Sequence, residues 1–300
     1  MDTMIKGAID LSLIICTRNR AAQLAETLKR VAGIRSRLSW ELIVADNGST
    51  DRTSEVIRDY AGISEHPVRG ICMPGRGVSY ARNAGWQTAK SHIVTYIDDD
   101  CYPADDYLDA VFECFAQDRS LGFVGGRILL HDPSDRRITI QESLERRFFA
   151  PDSFIPVGVI HGANLSFRRA AIAEVGGFDP WFGAGAVFTT EDAELAARIS
   201  AAGWNGAYDP RPVIYHHHGR KTARDEFWLM RSYDRGRGAY YAKCILNKSM
   251  RQRYVRNWLL TRRYHSWRTS ALEIVAGLEY VARAILTGHS SGKENGRVAP

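Results

Sequence analysis

Short apolar runs, each closed by a polar turn and followed by a helical repeat, constrain this chain more than any other feature. Residues 9–16 are apolar and β-branched and end in Thr17-Arg18-Asn19-Arg20. Residues 40–45 repeat the pattern and end in Asp46-Asn47-Gly48-Ser49-Thr50-Asp51, and residues 91–97 end in Asp98-Asp99-Asp100. Between them Leu24, Leu28 and Val31 recur at helical spacing with Gly33 as a stop, and further helices are predicted from the Asp46 turn to about Tyr60 and from Gly77 through Ala89. Strand and helix alternate, which predicts an α/β sheet with parallel strands. In such sheets ligands bind beyond the carboxyl ends of the strands. The three polar turns should therefore converge on one site although they lie far apart in the chain.

The second half continues the alternation less regularly. Residues 122–127 read as a strand running into a glycine turn, 132–156 as a polar, mobile excursion, 159–167 as a returning strand and 168–175 as a short helix. Thr190-Glu191-Asp192 opens a helix with Leu195 and Ile199 inward and Gly203 as its stop. Residues 213–215 form a strand ending in His216-His217-His218. From about Lys221 the alternation ceases. Residues 225–246 and 267–286 read as helices, the second with Trp267, Ala271, Val275, Leu278 and Ile285 along one face, and the last dozen residues as disordered. This divides the chain into an α/β domain, residues 1–220, and a helical region, residues 221–300.

Composition excludes some classes. With 300 residues, 45% apolar and 25% charged, the chain is an ordinary globular protein. Its five cysteines are widely spaced with no CxxC pair, which argues against a zinc ribbon or a disulfide framework and for a reducing compartment. The first ten residues are too polar for a signal peptide, and no run of about 18 apolar residues occurs. The expectation is a cytoplasmic protein that does not span a membrane. The net charge of +6 is uneven, because arginines crowd residues 251–268 beside Tyr254, Trp258 and Leu259. That tail has three open readings: peripheral contact with the inner face of the cell membrane, packing on the α/β domain, or a homodimer contact.

The aspartate triplet has two readings of its own. Three successive carboxylates repel, and a bound cation relieves the repulsion; hard oxygen ligands suit Mg²⁺ or Mn²⁺. The other reading is an acidic N-terminus for a helix over residues 104–117. The Thr17 and Asp46 turns can likewise be helix caps.

Taken in order, however, the two turns, then Pro74-Gly75-Arg76-Gly77-Val78-Ser79-Tyr80-Ala81-Arg82-Asn83-Ala84-Gly85, then the aspartates, resemble the family 2 inverting GT-A glycosyltransferases. Gly162-Ala163-Asn164-Leu165-Ser166-Phe167-Arg168-Arg169, Gly176-Gly177-Phe178-Asp179 and Thr190-Glu191-Asp192 extend the resemblance over residues 9–219. It implies a Rossmann-like, mixed GT-A sheet flanked by helices, to which the helical periodicity after Lys221 adds a helical C-terminal extension. It also implies metal-dependent transfer of a sugar from a UDP-sugar or dTDP-sugar to a hydroxyl acceptor, a saccharide or lipid-linked saccharide, in polysaccharide, glycolipid or glycoconjugate biosynthesis.

The same resemblance places Thr17 and Asp46 at the pyrimidine, Asp46 accepting the ring N–H, with Arg18, Asn19, Arg20 and Asn47 beside them. Arg76 and Arg82 would support base, ribose or the carboxylate cluster. Asp98 would touch ribose or metal and Asp100 the metal, with Asp99 able to replace either neighbour. Asp192 would be the general base, its pKa lowered by helix dipole and metal, and Glu191 would bind the acceptor with Asn164 and Trp181. Core packing is the rival role for Trp181. His216 or His218 would add a metal ligand, because alternate strand residues share a face.

Two other functions compete. A sugar nucleotidyltransferase should carry a glycine-rich phosphate loop after its first strand, and residues 17–20 contain no glycine. A non-catalytic nucleotide-sugar or polyanion-binding protein would have no use for Glu191-Asp192. No nucleic-acid partner is expected.

Overall fold

The computed structural model describes residues 8–75 and 77–288. β1 (Leu11–Thr17), β2 (Trp40–Asp46), β3 (Val68–Cys72) and β4 (Ile93–Asp98) are parallel strands, joined by α1 (Ala21–Val31), α2 (Thr53–Ile63) and α3 (Val78–Thr88). Their side chains alternate between two apolar layers. Leu11, Leu13 and Ile15 of β1 share one buried cluster with Leu24, Leu28 and Val31 of α1, while Ile14 belongs to the opposite cluster.

The chain continues through β5 (Cys101–Pro103), α4 (Tyr107–Gln117), β6 (Leu121–Leu130), β7 (Arg147–Phe149), β8 (Asn164–Arg168), α5 (Arg169–Glu174), α6 (Glu191–Ala201) and β9 (Asn205–His216). The strands form one nine-stranded mixed sheet in the order β3-β2-β1-β4-β8-β6-β9-β5, with β7 also on β9. β8 runs antiparallel between β4 and β6, β9 is parallel to β6, and β5 and β7 are antiparallel to β9.

Several details depart from the sequence reading, each for a local reason. After the aspartates the chain does not enter a helix; β5 carries it to β9 with Cys101 opposite His216, and α4 starts only at Tyr107. Gly125 and Gly126 do not turn the chain. Both lie inside β6, where an added Cβ would meet Ile160 at 2.5 Å or Asn164 at 2.3 Å, so the missing side chains admit these neighbours. Residues 159–163 are consequently a crossing loop, and the strand begins at Asn164. Residues 132–156 are tied down rather than loose. Arg136 N donates to Arg220 O at 2.8 Å, Gln141 bridges to Ile128, and Ile138, Phe149 and Ile155 are buried.

The last helices are α7 (Ala223–Leu246), α8 (Arg251–Arg262) and α9 (Trp267–Thr287). The boundary at residue 220 marks a change of structural class, not a separate core: Ala239, Tyr240, Cys244, Tyr254 and Ala276 join the cluster that holds Phe123, Phe167 and Phe178. Lys243 of α7 lies 2.6 Å from both Asp179 and Glu194, pinning the helix to the α/β part. The apolar face of α9 points outward, with Trp267 76% and Leu278 64% exposed, while Ser270, Glu273, Ala276 and Tyr280 are buried. The tail expected to be disordered, residues 289–300, lies outside the described residues. Among the described residues no helix is long and apolar enough to cross a membrane.

Candidate active site

Sheet register assembles the site. Thr17 pairs opposite Asp46 and Cys16 opposite Asp98, so the turns after β1, β2 and β4 meet at one edge of the sheet. They floor a cleft of about 470 Å³. Thr17, Arg18, Arg20, Asn47 and the three aspartates line one part of it, and Gly162, Glu191, Asp192 and His216 another.

The aspartates are not equivalent. Asp99 spends its carboxylate on cleft-wall neighbours, accepting the Thr17 hydroxyl at 2.7 Å and pairing with Arg20 Nε at 3.0 Å, and its carbonyl takes the Thr27 hydroxyl at 2.8 Å. Burial raises Asp99 to a pKa of about 7 despite Arg20 and Thr17. Asp100 accepts from Arg20 Nη2 at 2.6 Å and faces His216 Nε2 at 3.2 Å. Burial opposes its charge, but the His216 and Arg20 contacts prevail and hold it at about 2. Asp98 keeps 39% of its side chain exposed.

Asp98, Asp100 and His216 therefore form the cation-binding candidate, with donor atoms within 4.8 Å of one another. Cys101 lies in the same group, but a soft sulfur ligand matches a hard cation such as Mg²⁺ or Mn²⁺ less well than carboxylate and imidazole do. Two carboxylates and one imidazole fit a divalent cation such as Mn²⁺. His216 Nδ1 lies 3.3 Å from the carbonyl of Thr139, a non-glycine residue at φ 54, and this contact aims Nε2 at Asp100. The β5–β9 pairing explains the arrangement: it sets His216 beside Cys101, and the His217 N–H binds the Asp100 carbonyl at 2.9 Å.

A second carboxylate pair opens α6. Thr190 precedes it in the left-handed region at φ 82, turning Glu191 and Asp192 into the cleft. Arg82, 4% exposed, donates to Glu191 at 2.6 Å, reaches Asp98 at 3.5 Å and bonds the Gly162 carbonyl at 3.3 Å. The Gly162 N–H in turn donates to Asp192 Oδ2 at 2.9 Å. A Cβ at Gly162 would strike the Arg82 guanidinium at 2.6 Å, so glycine is what lets this peptide link Arg82 to Asp192. The pKa expectation for Asp192 is reversed: burial raises it, against the Ala193 N–H, Arg82 and the Gly162 N–H.

Other expected site residues have intramolecular roles. Asn19 accepts the Thr50 N–H at 2.7 Å and its own N–H binds Ser49 Oγ at 2.8 Å, so it fastens the first turn to the second. Asp46 accepts from Ser49 N at 2.9 Å and from Ser54 Oγ at 3.2 Å, and is 3% exposed. Asn164 is placed in the core, not at an acceptor: it donates to the carbonyls of Arg127 and Pro212 and accepts the Tyr107 hydroxyl. Trp181 packs edge-on against Tyr280 of α9 and does not line the cleft. Both ring nitrogens of His218 are engaged, by Arg136 O at 3.0 Å and Arg220 N at 3.0 Å, which turns it away from the aspartates. Arg76 lies outside the described residues.

Sequence reasoning missed Leu229 and Tyr233 of α7 and Arg220 before it, all lining the cleft. Burial raises the Tyr233 phenol well above its ordinary range, and the nearby charges of Asp192 and Glu191 add to the rise. Their signal was hidden by the assignment of α7 to a separate region.

A mixed sheet flanked by helices, whose strand ends gather an aspartate triplet and a second carboxylate pair in one cleft, is the GT-A fold of glycosyltransferases. The comparisons narrow this: residues 12–176 match Glycosyl transferase family 2, and the chain belongs to that family. It is 26% identical over 234 residues to the pre-mycofactocin glycosyltransferase of Mycobacterium tuberculosis, covering 74% of this chain and 45% of that protein. The probable glycosyltransferase YdaM of Bacillus subtilis is 23% identical, covering 68% and 50%. The chain thus spans about half the length of these curated relatives. Among solved structures, a mannosyltransferase from Pyrobaculum calidifontis in complex with GDP-Man and Mn²⁺ superposes with a TM-score of 0.64 at 19% identity, covering 95% of this chain and 77% of that one.

Proposed function

We propose that this protein is a metal-dependent, inverting glycosyltransferase that moves a sugar from a UDP-sugar or dTDP-sugar to a hydroxyl acceptor, in polysaccharide, glycolipid or glycoconjugate assembly. One observation carries the reading: a single cleft holds Asp98, Asp100 and His216 together with a distinct carboxylate pair linked to them through Arg82. The GDP-Man and Mn²⁺ bound to the Pyrobaculum mannosyltransferase support a nucleotide-sugar donor and a cation.

On the donor side, Asn47 Oδ1 is buried and makes no hydrogen bond among the described residues, so with Asp46 beside it the turn offers an acceptor to a pyrimidine N–H. Uracil and thymine present the same N–H there. Thr17 and Arg20 act indirectly by holding Asp99 and Asp100, whereas Arg18 and Arg220 line the cleft as cations for a diphosphate. Asp98, Asp100 and His216 would hold a Mn²⁺ or Mg²⁺ ion, which would supply charge stabilisation to the departing diphosphate.

Asp192 takes the acceptor proton as the acceptor oxygen bonds to the anomeric carbon. The bond from that carbon to the diphosphate oxygen breaks on the opposite face, which inverts the configuration. A pKa raised by burial makes Asp192 a stronger base than an exposed carboxylate. Glu191, held by Arg82, orients the acceptor. Asp192→Asn should reduce transfer by about 10²–10⁴-fold while donor binding persists. Unchanged transfer would place the base elsewhere, and NMR of the product anomer decides inversion.

A further inference from the structure

The outward face of α9 is apolar because its inward face is fixed by small and polar residues. Gly238 of α7 lies so close that a Cβ there would meet Glu273 O at 2.2 Å, and buried Glu273 binds Arg237 Nε at 2.6 Å and Trp258 Nε1 at 3.3 Å. Ser270, Ala276 and Tyr280 are buried beside it. This leaves Trp267, Ala271, Ile274, Leu278 and Ile285 as a stripe on the opposite side, about 27 Å long at 1.5 Å per residue. Ile285 is 75% and Val275 58% exposed.

α8 continues this surface. Leu259, Arg262 and Arg263 line a groove with Trp267, Ala271 and Ile274 of α9, and Leu259 and Leu260 are exposed. The cations there are unneutralised. Lys248, Arg251, Arg256, Arg262, Arg263 and Arg268 are exposed and form no salt bridge among the described residues, and no Asp or Glu occurs between residues 235 and 272. Arg262, Arg263 and Arg268 instead stand over the rings of Trp258, Tyr264 and Trp267, at 5.1, 4.8 and 5.4 Å. Apolar stripe, aromatic rings and arginines are thus interleaved on one surface.

We infer that the α8–α9 face docks on an anionic phospholipid bilayer, the stripe entering the headgroup boundary and the arginines meeting lipid phosphates. Charge decides against a second copy of the chain, since a symmetric contact would oppose arginine to arginine with no carboxylate in the patch to match them. α9 packs on α7, whose Leu229 and Tyr233 line the cleft, so the docking face and the cleft share one helix pair.

The test is co-sedimentation of the whole chain with vesicles of mixed phosphatidylglycerol and phosphatidylcholine, against phosphatidylcholine alone. The mixed vesicles should bind the protein, and raised salt should release it. Arg262→Ser with Arg263→Ser should lower the partition coefficient by about thirty-fold, and Leu278→Ser with Ile285→Ser should also weaken it. Circular dichroism should show all variants folded, because these side chains are exposed. Equal binding to both vesicle types, or none to either, overturns the inference. So does a concentration-dependent dimer that Leu278→Ser abolishes without any vesicle binding.

Discussion

Arg82→Met tests how the two halves of the cleft are joined. The guanidinium is 4% exposed, lies 2.6 Å from Glu191, itself only 12% exposed at the side chain, and stacks over Phe178 at 5.5 Å. Methionine preserves much of the packing but strands Glu191 as a buried, unpaired carboxylate. Breaking one side of such a pair costs about 3–5 kcal/mol. At about 2–4 °C per kcal/mol for a large chain, the melting temperature should fall by roughly 6–20 °C. The loss should depend on pH with a definite sign. Burial already raises the pKa of Glu191 and Arg82 opposes it, so removing Arg82 raises it further. The folded variant then holds a proton that the unfolded chain releases, and its deficit against wild type grows as pH rises above the ordinary carboxylate range. Adding Glu191→Leu should recover most of the stability without restoring transfer. Urea unfolding followed by tryptophan fluorescence measures both effects. A loss below about 1 kcal/mol for Arg82→Met, or strictly additive losses in the double variant, would refute the buried-pair account.

Two further outcomes follow from buried charges elsewhere. Asp99→Asn should keep Mn²⁺ affinity within a few-fold while costing about 1–3 kcal/mol of stability, since it disturbs Thr17 and Arg20 rather than the cation site; Mn²⁺ titration calorimetry showing a loss as large as that of Asp98→Asn would reassign the triplet. In Glu194, Arg198 and Lys243 outweigh burial and lower the pKa below 4.5, so its stabilisation is full above that pH and is lost as pH falls through the folded value. The stability gap between wild type and Glu194→Gln should therefore narrow in acid, and a gap that widens there would contradict the assignment.

The parallel half of the fold was legible because each strand is a continuous apolar run with a polar stop, and the motifs after β1, β2 and β4 sit at register-matched ends. β5 was not, because three residues after an acidic run carry no period. Its pairing with β9 is what sets His216, not His218, beside Asp100. Residue type also misled where polar groups find internal partners: Asn164 and Asn19 look like ligand contacts in sequence but spend their amides on backbone groups. In α9 the periodicity identified an apolar face without saying whether anything covers it, and the inward side is set by Gly238 and Glu273.

The account rests on a nucleotide-diphosphate donor held at a cation site built from Asp98, Asp100 and His216. Thermal unfolding of the whole chain with UDP, dTDP and GDP, each with and without Mn²⁺, measures this most directly. A nucleotide at a hundredfold excess over its Kd stabilises the native state by about 2.7 kcal/mol. UDP or dTDP should raise the midpoint only when Mn²⁺ is present, and Asp100→Asn should abolish the rise. A midpoint that no nucleotide moves, or an equal rise without Mn²⁺ and in Asp100→Asn, would contradict it.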